Sequence, residues 1–383
     1  MLKVCLVCIE LFGRGVHGGF GRATRIIGHA LSKRNVEVTA VIPQREGSRD
    51  RDREYLLDGI RVREFPPRAF WNSTELFRQT DADVFHSQDP SLSTWLAMRA
   101  MPRRAHVVTF RDTMESRDWK IEFRHAGPAG RGTLGYALYV DNVLVNRAVR
   151  RADALYCAAE FLIPKACRKY RLVRPPRLLP TPVEVPAQAI KATRPTVCFV
   201  GRLHRRKRPE RFLDLAVAFP DVHFICVGGT NDREYEEQLR RTYAHLANVE
   251  VAGTIDQFET DRLHQIFEKS WILVNTAARE GLPNTFLEAA AHRCAILSFV
   301  DPDGFASRFG YHAADDRELA SGLARLLDDR RWKPLGEAGC EFVKSVFGIE
   351  HAIDRHMDAY EQALGARARA PRPSAAMESR MRE

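Results

Sequence analysis

At 383 residues the chain is long enough for roughly two domains with cores of their own, which excludes a disulfide-stapled miniprotein. Its 45% hydrophobic and 28% charged content is that of a folded globular chain and excludes a disordered or collagenous one. Lys and Arg number 59 against 49 Asp and Glu, and the resulting +10 suits a phosphate-bearing ligand, an anionic membrane surface or nucleic acid without choosing among them.

The first apolar run, residues 4–9, is stopped by Glu10. It is too short for a signal-peptide core or a membrane span, so a cytoplasmic protein is expected. Cys5 and Cys8 within it form a C-x-x-C, but side chains alternate along a strand, and residues three apart face opposite sides of a sheet. No metal is expected there, and the 8 cysteines read as reduced core thiols.

After this strand comes Gly13-Arg-Gly15-Val-His-Gly18-Gly19-Phe-Gly21-Arg22, which contains a G-x-G-x-x-G ahead of a helix expected over residues 21–34. One reading is the dinucleotide turn of a nicotinamide-dependent oxidoreductase. Glu10, Leu11 and Phe12 intervene before the first glycine, however, and the second strand (36–42) leads into Pro43-Gln44 without the carboxylate that holds an adenosine ribose. The other readings are a plain tight turn and a flexible turn whose amides, near Gly18 and Gly19, approach a phosphate or sugar.

Strands at 84–87 and 106–110 continue a βαβ rhythm and imply a mainly parallel sheet covered by helices. His86 ends one of them beside Gln88 and Asp89; it fits an acceptor-orienting residue and a structural histidine equally. Residues 117–151 mix Trp119, Phe123, Tyr136, Leu138 and Tyr139 with Lys120, Arg124, Arg131, Arg147, Arg150 and Arg151. That pattern fits either a peripheral membrane contact or helices covering a sheet. Prolines 175, 176, 180, 182, 186 and 195 mark a linker.

Beyond the linker the rhythm restarts, with strands at 196–200, 223–227, 249–251, 272–275 and 295–299 and a helix at 208–219. The expected organisation is an N-terminal acceptor-side domain over 1–185, a second nucleotide-binding domain over 186–347, a helix over 348–365 that crosses back to the first domain, and a disordered basic tail over 366–383. Both domains are doubly wound and Rossmann-like, and are expected to face each other across a cleft. Ligands of such sheets bind beyond the carboxyl ends of the strands.

Two loops at those ends carry chemistry. The turn 201–208 holds Arg202, Arg205, Arg206, Lys207 and Arg208, donors suited to the charge that develops on a diphosphate leaving group. A solvated basic turn and a nucleic-acid contact are the alternatives. The second loop reads Glu280-Gly281-Leu282-Pro283-Asn284-Thr285-Phe286-Leu287-Glu288 and opens a helix through Ala291.

This E-x7-E segment, together with Gly201-Arg202 and Lys207, closely resembles the donor-binding signature of family-4 retaining glycosyltransferases of GT-B architecture. The resemblance extends to the Gly-rich first loop, Asp83-Val-Phe-His86 and residues 347–360. It implies that Glu280 lies by the donor-sugar hydroxyls, that Glu288 accepts from the nucleotide ribose, and that Arg202 and Lys207 clamp the diphosphate. Gly281, Leu282, Asn284 and Thr285 would then form the nucleotide-sugar cradle, the helix start aiming its free amides at an anion. Thr285-x-x-Glu288 also fits a capping box, in which Glu288 merely caps the helix.

The chain departs from the family pattern in three places. Thr109-Phe110-Arg111-Asp112 stands where many members carry Thr-x-His-Asp, so Arg111 and Asp112 become candidate sugar contacts. Pro180-Thr181-Pro182-Val183 replaces Pro-Asn-Gly, and Ala291-His292-Arg293 replaces a small-Cys-Gly turn. The D-x-D strings at residues 50–52, 81–83 and 301–303 are not expected to bind metal, and Arg202 and Lys207 would do the metal's work.

The expectation is therefore a retaining, metal-independent hexosyltransferase-like enzyme of glycan biosynthesis, without cofactor. It would move a sugar from a nucleoside-diphosphate sugar to a glycan, lipid-linked or small-molecule acceptor, touching membrane peripherally if at all and not nucleic acid. A nicotinamide-dependent oxidoreductase and a basic module binding nucleic acid or anionic lipid are the competing classes.

Overall fold

The computed structural model describes residues 1–13, 18–44, 53–126, 130–230 and 232–369. The chain divides into two compact units. One comprises Met1–Thr113, Leu134–Pro182 and Glu350–Glu383, the other Met114–Thr133 and Val183–Ile349.

The first unit carries β1 (Lys3–Val7), α1 (Gly19–Lys33), β2 (Glu37–Pro43), β3 (Glu54–Leu57), β4 (Ile60–Phe65), α2 (Ser73–Gln79), β5 (Val84–Ser87), α3 (Leu92–Ala100) and β6 (Ala105–Phe110). The chain then passes through α4 (Ser116–Arg124), α5 (Gly130–Val140), α6 (Val143–Val149), β7 (Ala154–Cys157), α7 (Leu162–Tyr170) and β8 (Arg177–Leu178). Among the described residues the sheet runs β3-β4-β2-β1-β5-β6-β7-β8, parallel except where β3 pairs antiparallel with β4. β5 and β6 are buried along their whole length, as strands covered on both faces are, with His86, Ser87, His106 and Thr109 enclosed among their apolar residues. The β3-β4 hairpin has no apolar run to announce it. It turns at Asp58-Gly59, with φ of 49° and 81°, the left-handed pair a two-residue hairpin turn requires.

The second unit carries β9 (Thr196–Val200), α8 (Pro209–Ala218), β10 (His223–Val227), α9 (Arg233–Tyr243), β11 (Val249–Gly253), α10 (Arg262–Lys269) and β12 (Ile272–Asn275). α11 (Asn284–Ala291), β13 (Ala295–Ser298), α12 (Phe305–Phe309), β14 (Gly310–His312), α13 (Asp316–Leu327) and α14 (Trp332–Phe347) complete it. Its parallel sheet runs β11-β10-β9-β12-β13-β14 among the described residues. Apolar cores on its two faces, one around Phe212, Phe224 and Trp271, the other around Phe267, Phe286 and Phe305, fix the strands.

The segment Met114–Thr133 interrupts the first unit in sequence but packs with the second. The chain leaves the second unit beside its point of entry, where the Val183 N–H donates to the Phe347 carbonyl at 2.8 Å. α15 (Ile349–Arg369) then buries Ile353, Ala359, Tyr360 and Ala363 in the first unit. The tail expected to be disordered from 366 is corrected at its start, because α15 continues through Arg369; residues 370–383 lie outside the described residues. Among the described residues no helix is long and apolar enough to cross a membrane.

Candidate functional site

The basic turn after β9 is placed by a close backbone approach. Gly228, at φ 143°, lies so near the Gly201 carbonyl that a Cβ there would be 1.8 Å from the oxygen, so the ends of β9 and β10 meet only with glycine at this position. The five cations then separate by partner. Arg205 lies over the Tyr235 ring at 4.7 Å and 3.6 Å from Asp232. Arg208 donates to the Thr276 and Ala277 carbonyls at 2.7 and 3.2 Å and covers Phe299. Arg205 thus ties the turn to the start of α9, and Arg208 ties it to the end of β12. Arg202 is exposed, while Arg206 and Lys207 are partly buried and face the loop after β12.

There Lys207 Nζ donates to Glu280 Oε1, and Arg206 Nη1 lies 3.7 Å from Glu280 Oε2. Burial pushes the Glu280 carboxyl up, but Lys207, Arg206 and Arg279 outweigh it and leave it below its ordinary value. Burial also lowers the Lys207 ammonium, with Arg206 and Arg202 acting in the same direction and Glu280 opposing. Thr276 Oγ1 donates to the carbonyls of Lys207 and Arg208 at 2.7 and 2.9 Å, fastening the two loops side by side.

Glu280 and Lys207, expected from sequence to share a site, therefore touch. Arg202 stands on the same turn. Gly281 and Leu282 follow Glu280 on the loop, Pro283 is the N-cap of α11, and Asn284 and Thr285 are its first two residues. Glu288 sits one turn further along, partly buried. The capping-box alternative for Glu288 does not hold: Thr285 lies inside the helix and Pro283 makes no side-chain cap bond.

Three neighbours of Glu280 and Lys207 escaped the sequence reading: Arg279, Asp118 and Glu122. Arg279, 5% exposed, places Nε 3.2 Å from Asp118 Oδ1 and donates from Nη1 to Glu122 Oε1 at 2.8 Å. Arg206 Nε lies 3.1 Å from the same Glu122 oxygen, and Arg206 Nη1 donates to the Arg279 carbonyl at 2.8 Å. Asp118 and Glu122 stand one helical turn apart on α4. That spacing was legible; its destination was not.

In the first unit the candidates are enclosed. His86 is fully buried, its Nδ1 2.9 Å from the Tyr360 hydroxyl and its Nε2 2.8 Å from Thr109 Oγ1. Burial, with His356 and Arg111 nearby, holds it neutral, well below the usual imidazole range. Arg111 donates from Nη1 to Thr181 Oγ1 at 2.8 Å and from Nη2 to Gln88 Oε1 at 2.7 Å, and its backbone N–H donates to Asp89 at 3.0 Å. Burial lowers its guanidinium to about 10 and raises the Asp89 carboxyl to about 7. Of the three weak sugar-contact candidates, His86 and Arg111 are engaged by protein atoms, and Asp112 is the more exposed.

The Gly-rich loop lies in part outside the described residues, since 14–17 are not among them. Gly18 is the N-cap of α1, followed by Gly19, and the Glu10 carboxylate sits where a Gly18 side chain would be and accepts from the Gly21 N–H at 3.0 Å. An acidic side chain at this helix start weakens the oxidoreductase alternative further, because the dinucleotide pyrophosphate would need the place Glu10 holds.

The D-x-D strings have structural partners. Asp83 accepts from the Lys3 backbone N–H at 3.0 Å and pairs with Arg104 at 3.1 Å; Asp301 accepts from the Ala306 and Ser307 backbone at 2.7 and 3.1 Å. The string at 50–52 lies outside the described residues. Among the described residues no group of three or more His, Cys, Asp or Glu is placed to hold a metal ion.

Comparisons with known proteins bear on the family and the architecture. Residues 17–185 match the family model for Glycosyltransferase Family 4, and residues 194–329 match that for Glycosyl transferases group 1. No curated protein matches the chain in sequence. Among solved structures, a sucrose-phosphate synthase from Thermosynechococcus elongatus superposes with a TM-score of 0.73 at 17% identity, covering 96% of this chain and 100% of that one. Anabaena HepE in complex with UDP and glucose gives 0.68 at 13% identity, covering 94% and 100%. A pneumococcal O-GlcNAc transferase in complex with UDP and GlcNAc gives 0.63 at 9% identity, covering 95% and 99%. The architecture is that of the GT-B glycosyltransferases.

Proposed function

The chain belongs to the family-4 glycosyltransferases, and on that premise we propose that it is a retaining, metal-independent enzyme moving a sugar from a nucleoside-diphosphate donor to an acceptor hydroxyl. The observation that carries this reading is the meeting of Lys207 and Glu280 at the ends of β9 and β12. Arg202 and Lys207 receive the diphosphate, Glu280 meets the donor-sugar hydroxyls, and Glu288 accepts from the ribose. Gly281, Leu282, Asn284 and Thr285 line the start of α11, whose positive dipole end favours an anion.

As the bond between sugar and diphosphate breaks, negative charge grows on the leaving phosphate oxygen, and fixed cations there lower the barrier. In a retaining transfer that oxygen takes the acceptor proton on the same face, so no separate base is required. The acceptor is a glycan, a lipid-linked sugar or a small molecule, handled by the first unit. Leu134, Leu138 and Val143 on α5 and α6 are 52%, 63% and 79% exposed, which supports peripheral contact with a membrane surface, and the buried free cysteines suit a cytoplasmic protein.

The test is a thermal-shift series with UDP, GDP, ADP and NAD, repeated on Arg202→Ala; a ligand at 100 times its Kd adds about 2.7 kcal/mol of stability. The structures of HepE and of the O-GlcNAc transferase contain UDP, which makes UDP the first nucleotide to try. A shift with one nucleoside diphosphate, lost in the variant, supports the assignment; a shift with NAD alone overturns it. Anomer analysis of the product checks retention, activity in EDTA checks metal independence, and co-sedimentation with anionic vesicles checks the membrane contact.

A further inference from the structure

We infer that Arg279 is a positioning residue for Glu280, locked by Asp118 and Glu122 of α4; the inference rests on the reading of Glu280 as the donor-sugar contact. Arg279 directly precedes Glu280 and is 5% exposed, so its guanidinium is largely removed from water and needs counter-charge. That counter-charge comes from Asp118 at 3.2 Å and Glu122 at 2.8 Å, more than 150 residues away in the chain.

No residue of α4 is fully buried, and the ion pairs of Asp118 and Glu122 with Arg279 and Arg206 are contacts that hold it to the second unit. Its opposite face carries Arg117, Lys120 and Arg124, all exposed, which leaves Asp118 and Glu122 as the face turned to the basic loops.

The peptide leading into Glu280 is thus gripped from two sides. The Arg279 side chain is held by α4, while its carbonyl accepts from Arg206 at 2.8 Å and the Ala278 N–H donates to the Arg206 carbonyl at 2.9 Å. Three cations, Arg206, Lys207 and Arg279, face three carboxylates, Asp118, Glu122 and Glu280. Without Arg279, Asp118 and Glu122 would be left with excess negative charge and would draw Arg206 away from Glu280. The Glu280 carboxylate would then lose the orientation that donor-sugar contact requires. Nucleotide binding through Arg202 and Glu288 would be largely preserved.

The experiment compares Arg279→Gln, Arg279→Lys and the double variant Asp118→Asn/Glu122→Gln with the wild-type chain, measuring kcat, donor KM, the Kd of the nucleoside diphosphate identified above, and Tm. The double variant removes no buried apolar group, so it keeps the test valid if Arg279→Gln folds poorly. Misplacing a reacting group by about 1 Å costs up to roughly 100-fold, so kcat is expected to fall at least ~10-fold in Arg279→Gln and in the double variant while Kd changes less than about 3-fold. Arg279→Lys, which keeps the charge but not the two-pronged geometry, should recover part of the loss.

The inference is overturned if kcat stays near wild type in both Arg279→Gln and the double variant, or if Kd and Tm collapse together with kcat and Lys rescues nothing. Loss in Arg279→Gln beside a wild-type double variant removes α4 from the account. A wild-type chain that binds no nucleoside diphosphate overturns the underlying reading, and this inference with it. Normal binding and turnover with insensitive variants overturns this inference alone.

Discussion

The same position in two similar sheets is used in opposite ways. Near the end of β5 and just past β6 in the first unit, His86 and Arg111 are 0% and 6% exposed, and their hydrogen bonds run to Tyr360, Thr109, Gln88 and Thr181. Beyond β9 and β12 of the second unit, the Lys207 and Glu280 side chains keep 19% and 10% exposure, and an exposed Arg202 stands on the same turn. Neutral partners at fixed distance make a rigid, closed network, whereas paired charges at a partly open surface can exchange one partner for an incoming anion. A polar residue at a strand end is thus a site only where its bonds can be remade.

The contrast is broken most sharply at Lys207. Lys207→Ala is expected to lose at least ~3 kcal/mol of transition-state stabilisation, read as a fall in kcat/KM, on the scale of removing one oxyanion donor. Unchanged turnover would mean that the second-unit charges are as structural as those of the first.

Arg111→Met makes the opposite case. It strands the Gln88 and Thr181 acceptors in the core, and urea titration should show stability lower by about 1–3 kcal/mol, with nucleoside-diphosphate binding intact. Loss of binding at unchanged stability would move Arg111 into the site. Tyr360→Phe removes one bond of the same network, from the His86 ring, and should cost about 1 kcal/mol without affecting kcat.

The most gradual effect is with pH. Burial lowers His106 and His292 to about 4, His356 to about 3, and His86 in the same direction. Below the ordinary imidazole value near 6.5, the unfolded chain therefore binds protons that the folded chain refuses, and stability falls as pH drops from about 6.5 toward 4. Asp89, raised to about 7, acts oppositely, stabilising the fold where its carboxyl is protonated and giving that up as pH rises from about 4 to 7. His204 and His223 are lowered by burial as well and Asp153 is raised, so six histidines stand against two carboxyls; the melting temperature should decline on the acid side, and Asp89→Asn should steepen the decline. A melting temperature that holds steady from pH 7 to pH 5 even in Asp89→Asn would count against neutral buried rings in the folded state.

Most strands and the central helices were legible because a buried strand must be apolar and a covering helix amphipathic, so β9, β10 and β12 fall at the residues expected. The β3-β4 hairpin was not, since its alternating charged residues carry no apolar run and its Asp58-Gly59 turn is a short signal. In the site, Glu280, Lys207, Arg202 and Glu288 stood out because their chemistry is concentrated in short loops at strand ends. Arg279 and Glu10 lay beside the same motifs without a role that spacing could assign, and Arg206, read as a phosphate donor, meets Glu122, Glu280 and the Arg279 carbonyl.

By itself, the sequence determined the two parallel-sheet units, the strand-end loops and the residue types offered there, because apolar periodicity and loop chemistry are local properties of the chain. The tertiary structure decided which charges meet. Whether a carboxylate at 118 or 122 faces solvent or an arginine at 279 depends on how the chain returns through space, and whether His86 is a ligand or a core residue depends on Tyr360, 274 residues further on. Ion pairing and burial are set by those long-range meetings, which no short window of sequence contains.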